Sequence, residues 1–241
     1  MPLIAAAAVA AGAALQSATG FGFSLIAAPL VFATVEPEQA VGLMTLLGTV
    51  VNVLTLAGER RRPRPALREC AWILVAALPG AVLGVAVLRA LDAIALQIAV
   101  TIGVVATIVA RRIAAGRHLP AWGAPVAGFV GGGLTTSTTT SGPPLIVYLL
   151  GRNLTPGQLR DTMPVCFLGL SLLAVVALVV TGTSGAVPDA LLTAILVPVV
   201  VIGHVAGRPL FGALARSGSY EKVVTAILLV SVIAGLATAV L

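Results

Sequence analysis

The groups in this chain that could do chemistry are hydroxyls, small residues and bare backbone rather than acids and bases. Residues 131–144 read Gly-Gly-Gly-Leu-Thr-Thr-Ser-Thr-Thr-Thr-Ser-Gly-Pro-Pro, with apolar residues 124–130 before them and 145–150 after. A shorter break of the same kind, Gln16-Ser-Ala-Thr-Gly-Phe-Gly, interrupts the apolar run 3–35. Each break leads into a helix start. In Gly142-Pro143-Pro144, a proline at the first helical position lacks an N–H that would be unpaired anyway, and Ser141 or Thr140 can cap. In the first break Gly20-Phe21-Gly22 gives a tight turn, with Phe23 leading away. Gly22 and Gly142 are expected to make the two turns. Two such helix N-termini brought together present free N–H groups and partial positive charge. Hydroxyls of Ser17, Thr19, Thr139, Thr140 and Ser141 add donors. That chemistry holds a small anion without any lysine or arginine. The candidate binding residues are Ser17, Thr19, Gly20, Gly22, Phe23, Thr139, Thr140, Ser141, Gly142 and Pro143. Asn52 and Ser171, mid-helix and at matching positions, either line the path or make polar packing contacts. The plainer reading of the hydroxyl cluster is helix glue, since small and hydroxyl residues let membrane helices pack closely. An unbroken helix would not place Gly-Gly-Gly before it and Gly-Pro-Pro after it.

The breaks must sit in a membrane protein. Hydrophobic residues make up 59% of the 241, charged residues 9%, and the mean hydropathy is +1.12, against roughly 25% charged in a soluble chain. About eight apolar segments of roughly 20–30 residues fit this length. Irregular backbone survives at membrane depth only when packed in protein or lining a polar cavity. The net charge of +6 does not imply a nucleic-acid partner, because the charges lie between apolar segments and aromatic content is 4%. Cys70 and Cys166 have no metal or redox spacing and read as small packing residues. No cofactor or metal motif is present. All eight acids (residues 36, 38, 59, 69, 92, 161, 189 and 221) fall at or near segment ends, so none is placed to bind sodium or relay protons at depth. His204 is the one ordinary titratable group within a span, and is either a packing histidine or a proton-coupling one. Ser141 and His204 could pair as nucleophile and base, but no third acid orients them, so the chain does not read as an enzyme.

Taken in order, residues 40–57, 70–88, 94–110, 163–180, 190–207 and 223–241 read as spanning helices. Loops bearing Lys or Arg lie at 60–68, 111–117, 152–160 and 208–222. The order repeats. Gln16 to Ile26 aligns with Thr136 to Ile146 at an offset of 120 residues. Asn52 falls opposite Ser171, and Gly80 and Gly84 resemble Gly203 and Gly207. If all eight segments crossed the membrane, eight of the fourteen Lys and Arg would lie inside. If both broken segments instead enter and leave on one side, thirteen of the fourteen lie inside and only Arg89 lies outside. The positive-inside rule favours the second arrangement. The expected fold is therefore an all-α integral membrane protein of two inverted repeats, residues 1–118 and 119–241. Each repeat is a re-entrant helix hairpin plus three transmembrane helices, within one membrane domain.

Gly20-Phe-Gly-Phe-Ser-Leu-Ile-Ala-Ala-Pro-Leu30 resembles the first-repeat motif of the sulfite exporter TauE/SafE family, and Ser141-Gly-Pro-Pro-Leu-Ile-Val-Tyr-Leu-Leu150 resembles its second-repeat counterpart. The resemblance covers essentially the whole chain. It departs from the family at Ser24-Leu25-Ile26, where members often carry further glycines. The resemblance implies a two-repeat membrane transporter moving sulfite, sulfoacetate or another organosulfonate. The expected function is a secondary transporter, an exporter, with the anion held between the two breaks. An anion channel using the same site is the alternative. The Ala- and Arg-rich composition points to a bacterial inner membrane, multi-pass, with most Lys/Arg loops cytoplasmic. Lipid and a small anion are the expected partners, and wide Ala/Gly faces permit a homodimer.

Overall fold

The computed structural model describes residues 2–58, 63–114, 118–152 and 154–217. The helix expected at 223–241 lies outside them. Among the described residues the chain is helical, with no strand. The helices are α1 Pro2–Thr19, α2 Phe23–Phe32, α3 Pro37–Ala57, α4 Leu67–Ala90, α5 Ala93–Ala114, α6 Gly123–Thr138, α7 Gly142–Leu150, α8 Pro156–Val180 and α9 Ala190–Ser217.

Local signals account for most of the boundaries. Pro37 opens α3 from its first turn, where its missing N–H costs nothing. The start of α8 is a capping box: Gln158 N–H donates to Thr155 Oγ1 at 3.2 Å, and Thr155 N–H donates back to Gln158 Oε1 at 3.1 Å. Both broken segments do break. After α1 the chain turns through Gly20 and Gly22, with φ of +83° and +107°, a region open to glycine at little cost. After α6 it turns through Thr139, with φ of +57°. The expectation that Gly142 makes this second turn is therefore corrected. Gly142 is the first residue of α7, and the threonine three residues earlier takes the left-handed conformation. A second correction concerns α9, expected to end at 207 with a basic loop from 208. The helix runs on to Ser217 through Pro198 and Pro209, across leucine, alanine and arginine residues that favour it.

Among the described residues four helices are long and apolar enough to cross a membrane: Pro37–Ala57, Leu67–Ala90, Gly157–Val180 and Ala190–Pro209. At about 1.5 Å per residue each covers the roughly 30 Å hydrocarbon core. α4 is apolar on every side. Ile73, Ala77, Ala81, Val85 and Leu88 are buried, while Trp72, Val75, Leu78, Val82 and Leu83 are exposed. An outer face as apolar as the inner one is a lipid-facing surface.

The two halves interleave. α4 packs along α6, and α1 packs along α9, each pair running in the same direction. The four glycines noted as similar in sequence stand at these crossings. A Cβ on Gly80 or Gly84 would run into the carbonyl oxygens of Phe129 or Gly133, and one on Gly203 or Gly207 into those of Ala10 or Ala14. Lipid tails are as apolar as leucine, so close backbone contact of this kind is what holds membrane helices together. α3 and α8 run antiparallel. Gly42 faces Ala186 just beyond α8, and Gly48 faces Ser171. Past the other end of α3, the N–H groups of Arg64 and Ala66 donate to Asp161 Oδ2 (2.7 Å) and Thr162 Oγ1 (3.0 Å) near the start of α8.

α6 and α7 form a helical hairpin. Gly123, at the start of α6, stands against Tyr148 near the end of α7, and Leu119 N–H donates to the Gly151 carbonyl at 2.7 Å. The mouth of the hairpin is tied to α4. Arg152 pairs with Glu69 at 3.1 Å and donates to the Leu119 carbonyl at 2.9 Å, and the Tyr148 hydroxyl donates to Glu69. α1 and α2 likewise pack on each other.

Candidate anion-binding site

Both breaks open onto one cavity of about 40 Å³. That is several times the roughly 10–15 Å³ that one water needs on this measure. The first break contributes Gln16, Phe21, Gly22, Phe23 and Ser24, and the second Thr135, Thr139, Ser141 and Gly142. α3 adds Thr45, Gly48 and Asn52, and α8 adds Phe167 and Ser171. Seven of the sequence-expected residues thus share one wall: Gly22, Phe23, Asn52, Thr139, Ser141, Gly142 and Ser171.

The other expected residues lie elsewhere. Ser17 is buried with no hydrogen bond to its hydroxyl, but is not part of the cavity wall. Gly20 packs against the backbone and side-chain stem of Arg160 on α8. Thr140 pairs its hydroxyl with that of Thr138 at 2.7 Å. Pro143 is buried within α7. Thr19 closes α1, and its side chain lies outside the described residues. His204 is buried, with no hydrogen bond to either ring nitrogen, and stands away from the cavity on α9. The structure therefore does not bring His204 and Ser141 together at the site.

A chain of polar contacts sets the shape of the site. Gln16 Nε2 donates to Asn52 Oδ1 at 2.5 Å, and Asn52 Nδ2 donates to the Gly48 carbonyl at 2.7 Å. Gln16 Oε1 in turn accepts from the backbone N–H of Phe23, the first residue of α2, at 3.0 Å. One glutamine thereby fixes α1 to α3 and answers the first free donor of α2. Asn52 is part of this clamp as well as of the wall. Gln16 lies in the sequence motif but not among the residues expected to bind. The signal that marks it is a lone carboxamide inside an apolar segment.

The second break keeps its donors open. Ser141 precedes α7 with no side-chain cap, so the Ser141 hydroxyl does not fill the capping role expected of it. Pro143 and Pro144 remove two backbone donors. The donors left are Gly142 N–H and nearby hydroxyls. Thr139 and Thr45 in the wall have hydroxyls without any protein partner. A buried hydroxyl left unpaired costs about 1–3 kcal/mol, so these are two polar groups that the protein itself leaves unsatisfied in the wall. Sequence reasoning misses Thr45 because nothing in α3 marks it. Among the described residues no Asp, Glu, Lys, Arg or His lines the cavity. The wall offers hydroxyl and carboxamide donors, one helix start and small residues, which suits a desolvated anion and not acid–base chemistry.

A bundle of lipid-exposed helices around a small polar cavity, built from breaks in two of its segments, has the make-up of a membrane transporter. The family model of the sulfite exporter TauE/SafE matches residues 4–236. The chain belongs to that family of membrane transporters and is not an enzyme. No curated protein and no solved structure matches the chain.

Proposed function

We propose that this protein is a secondary transporter that exports a small sulfur-containing anion, sulfite or an organosulfonate, bound in the cavity between the two breaks. The observation that carries this reading is that breaks from opposite halves of the chain line one polar cavity, with no charged side chain among its described wall residues. Thr139, Ser141, Gly142 and Ser171 hold the anionic head, and Phe23, its N–H already paired with Gln16, closes the wall. Gly22 lets the backbone approach, and Asn52 with Gln16 sets the wall. Residues 1–118 and 119–241 act as inverted repeats. The antiparallel course of α3 and α8 supports this, because eight full crossings would make those equivalent helices parallel. The α6–α7 hairpin, with its two ends adjacent, supports a re-entrant second break. In this arrangement the Lys/Arg loops face the cytoplasm. Export then proceeds by rocking or sliding one repeat against the other.

His204 is our candidate for proton coupling. It is 4% exposed and flanked by Gly203 and Gly207, through which α9 packs on α1, so it would act through α1 and not on the anion directly. Proton-driven uptake that keeps its pH dependence in His204→Gln would remove it from that role.

The test is uptake of labelled sulfite and sulfoacetate into vesicles, comparing wild type with Ser141→Val and Gly142→Leu. Saturable uptake with counterflow, lost in both variants, is the expected result and separates a carrier from a channel. Uptake unchanged in both would move the site elsewhere. No uptake of either anion by the wild type would contradict the substrate assignment.

A further inference from the structure

A second cavity adjoins the first. It lies between α3 and α8 beside the turn at 182–188, has a volume of about 380 Å³, and is lined chiefly by apolar side chains, among them Leu46, Val175, Leu178 and Val179. Thr45 belongs to the walls of both cavities. It is 3% exposed and its hydroxyl has no protein partner. One buried polar group therefore stands between a small polar chamber and a larger apolar one.

The two ends of the α3–α8 pair differ in a way that bears on access. At the far end, the segment after α3 is fastened to α8 by the side chains of Asp161 and Thr162, which accept from Arg64 and Ala66 N–H. At the near end, Gly42 and Ala186 occupy the equivalent places, Gly42 lying 119 residues before Asp161 and Ala186 120 residues after Ala66. Gly42 has no side chain to make such a bond, and its contact with Ala186 is backbone against backbone. The apolar cavity opens at this end, which is held by close backbone packing and not by side-chain hydrogen bonds.

We propose that the α3–α8 cavity is a subsite for the organic portion of the substrate. The charged head sits between the two breaks, and a short alkyl chain extends past Thr45 among Leu46, Val175 and Val179. This rests on the reading of the polar cavity as the anion site. It narrows the substrate class to organosulfonates bearing an apolar chain, with sulfite bound more weakly for want of one. Free sulfonate in the water is the occupant, since the head must leave solvent for a small polar chamber walled by both halves of the chain. Each methylene moved out of water into such a cavity tightens binding about fourfold, the equivalent of about 0.8 kcal/mol.

The test is calorimetric titration of the purified protein in nanodiscs with sulfite and with methane-, ethane-, propane- and butanesulfonate. The expected result is binding of all five, tightening at least about tenfold from methane- to butanesulfonate. In Val175→Trp and Val179→Trp, which fill the cavity from its rim, the ratio falls below about three. Binding of sulfite and methanesulfonate with no chain-length trend overturns the subsite and leaves the anion site standing. A trend that persists undiminished in both tryptophan variants assigns it to the bilayer and also overturns the subsite. No binding of any of the five overturns the anion site, and the subsite with it.

Discussion

The two breaks occupy matching places in the two halves, yet they use their polar groups differently. At the first, glycine makes the turn twice, and Gln16 pairs the first donor of α2 while holding α1 to α3. At the second, a threonine is held left-handed, the residue before α7 makes no side-chain cap, and the wall hydroxyl of Thr139 has no partner. At the first break the helix start is paired, though the Ser17 hydroxyl has no partner, and the break works chiefly as a support. The second is strained and under-bonded, and in the proposed transporter it is the receiving face for the anion. Backbone in a sparsely populated region costs about 1–3 kcal/mol and persists only where its surroundings enforce it. Such strain at the second break fits a site shaped for a ligand.

Substitutions at the two glycines expected from sequence to turn, only one of which does, separate the two breaks most. Gly22→Ala is expected to lower unfolding stability by about 1–3 kcal/mol, because φ is +107° and the new Cβ would lie 2.8 Å from Leu15 Cδ2. Gly142→Ala, in ordinary helical backbone, is expected to cost less than about 1 kcal/mol. Equal losses in thermal unfolding would erase the distinction between the breaks. Next in size is Gln16→Leu, which leaves Phe23 N–H without its acceptor and Asn52 Oδ1 without its donor. A loss of about 2 kcal/mol is expected, read as a lower unfolding midpoint in the same detergent.

How much of this is legible in the sequence follows the range of the interactions. The capping box of Thr155 and Gln158 is local, and four letters suffice to see it. The breaks themselves, and the glycines at 80, 84, 203 and 207, are visible because small residues in apolar segments have few other uses. Gln16 reaches Asn52 across 36 residues, so its role depends on α1 meeting α3, which no window of sequence displays. Thr139 escapes for a different reason. Local preference assigns a positive φ to the nearby glycine, but the packing of α6 and α7 imposes it on the threonine. Thr45 becomes a wall residue only when α3 meets α8. Arg160 reads as a loop charge, and the fold sets it against Gly20.

Smaller effects separate the breaks further. Thr139→Gly relieves the left-handed threonine and is expected to raise stability by up to about 1 kcal/mol. The same change removes a donor and is expected to weaken sulfite binding about five- to tenfold. Stability and affinity moving in opposite directions would mark strain kept for function, whereas a parallel fall would mark Thr139 as structural. Ser141→Ala is expected to weaken binding about three- to tenfold with unfolding stability changed by less than about 0.5 kcal/mol. A large loss of stability there would place Ser141 in the packing and not at the site.

That the two breaks together bind one anion is tested most directly by titrating sulfite onto wild type, Gln16→Glu and Ser141→Val. The first variant places a carboxylate against the cavity from the first break. Glutamate still offers an acceptor to Phe23 N–H, so α2 keeps its start. Like leucine it has no donor for Asn52 Oδ1, and Gln16→Leu is the uncharged control for that loss. Saturable binding is expected in wild type, abolished by Gln16→Glu and weakened at least about tenfold by Ser141→Val. Wild-type binding that survives unchanged in both variants would contradict a shared site.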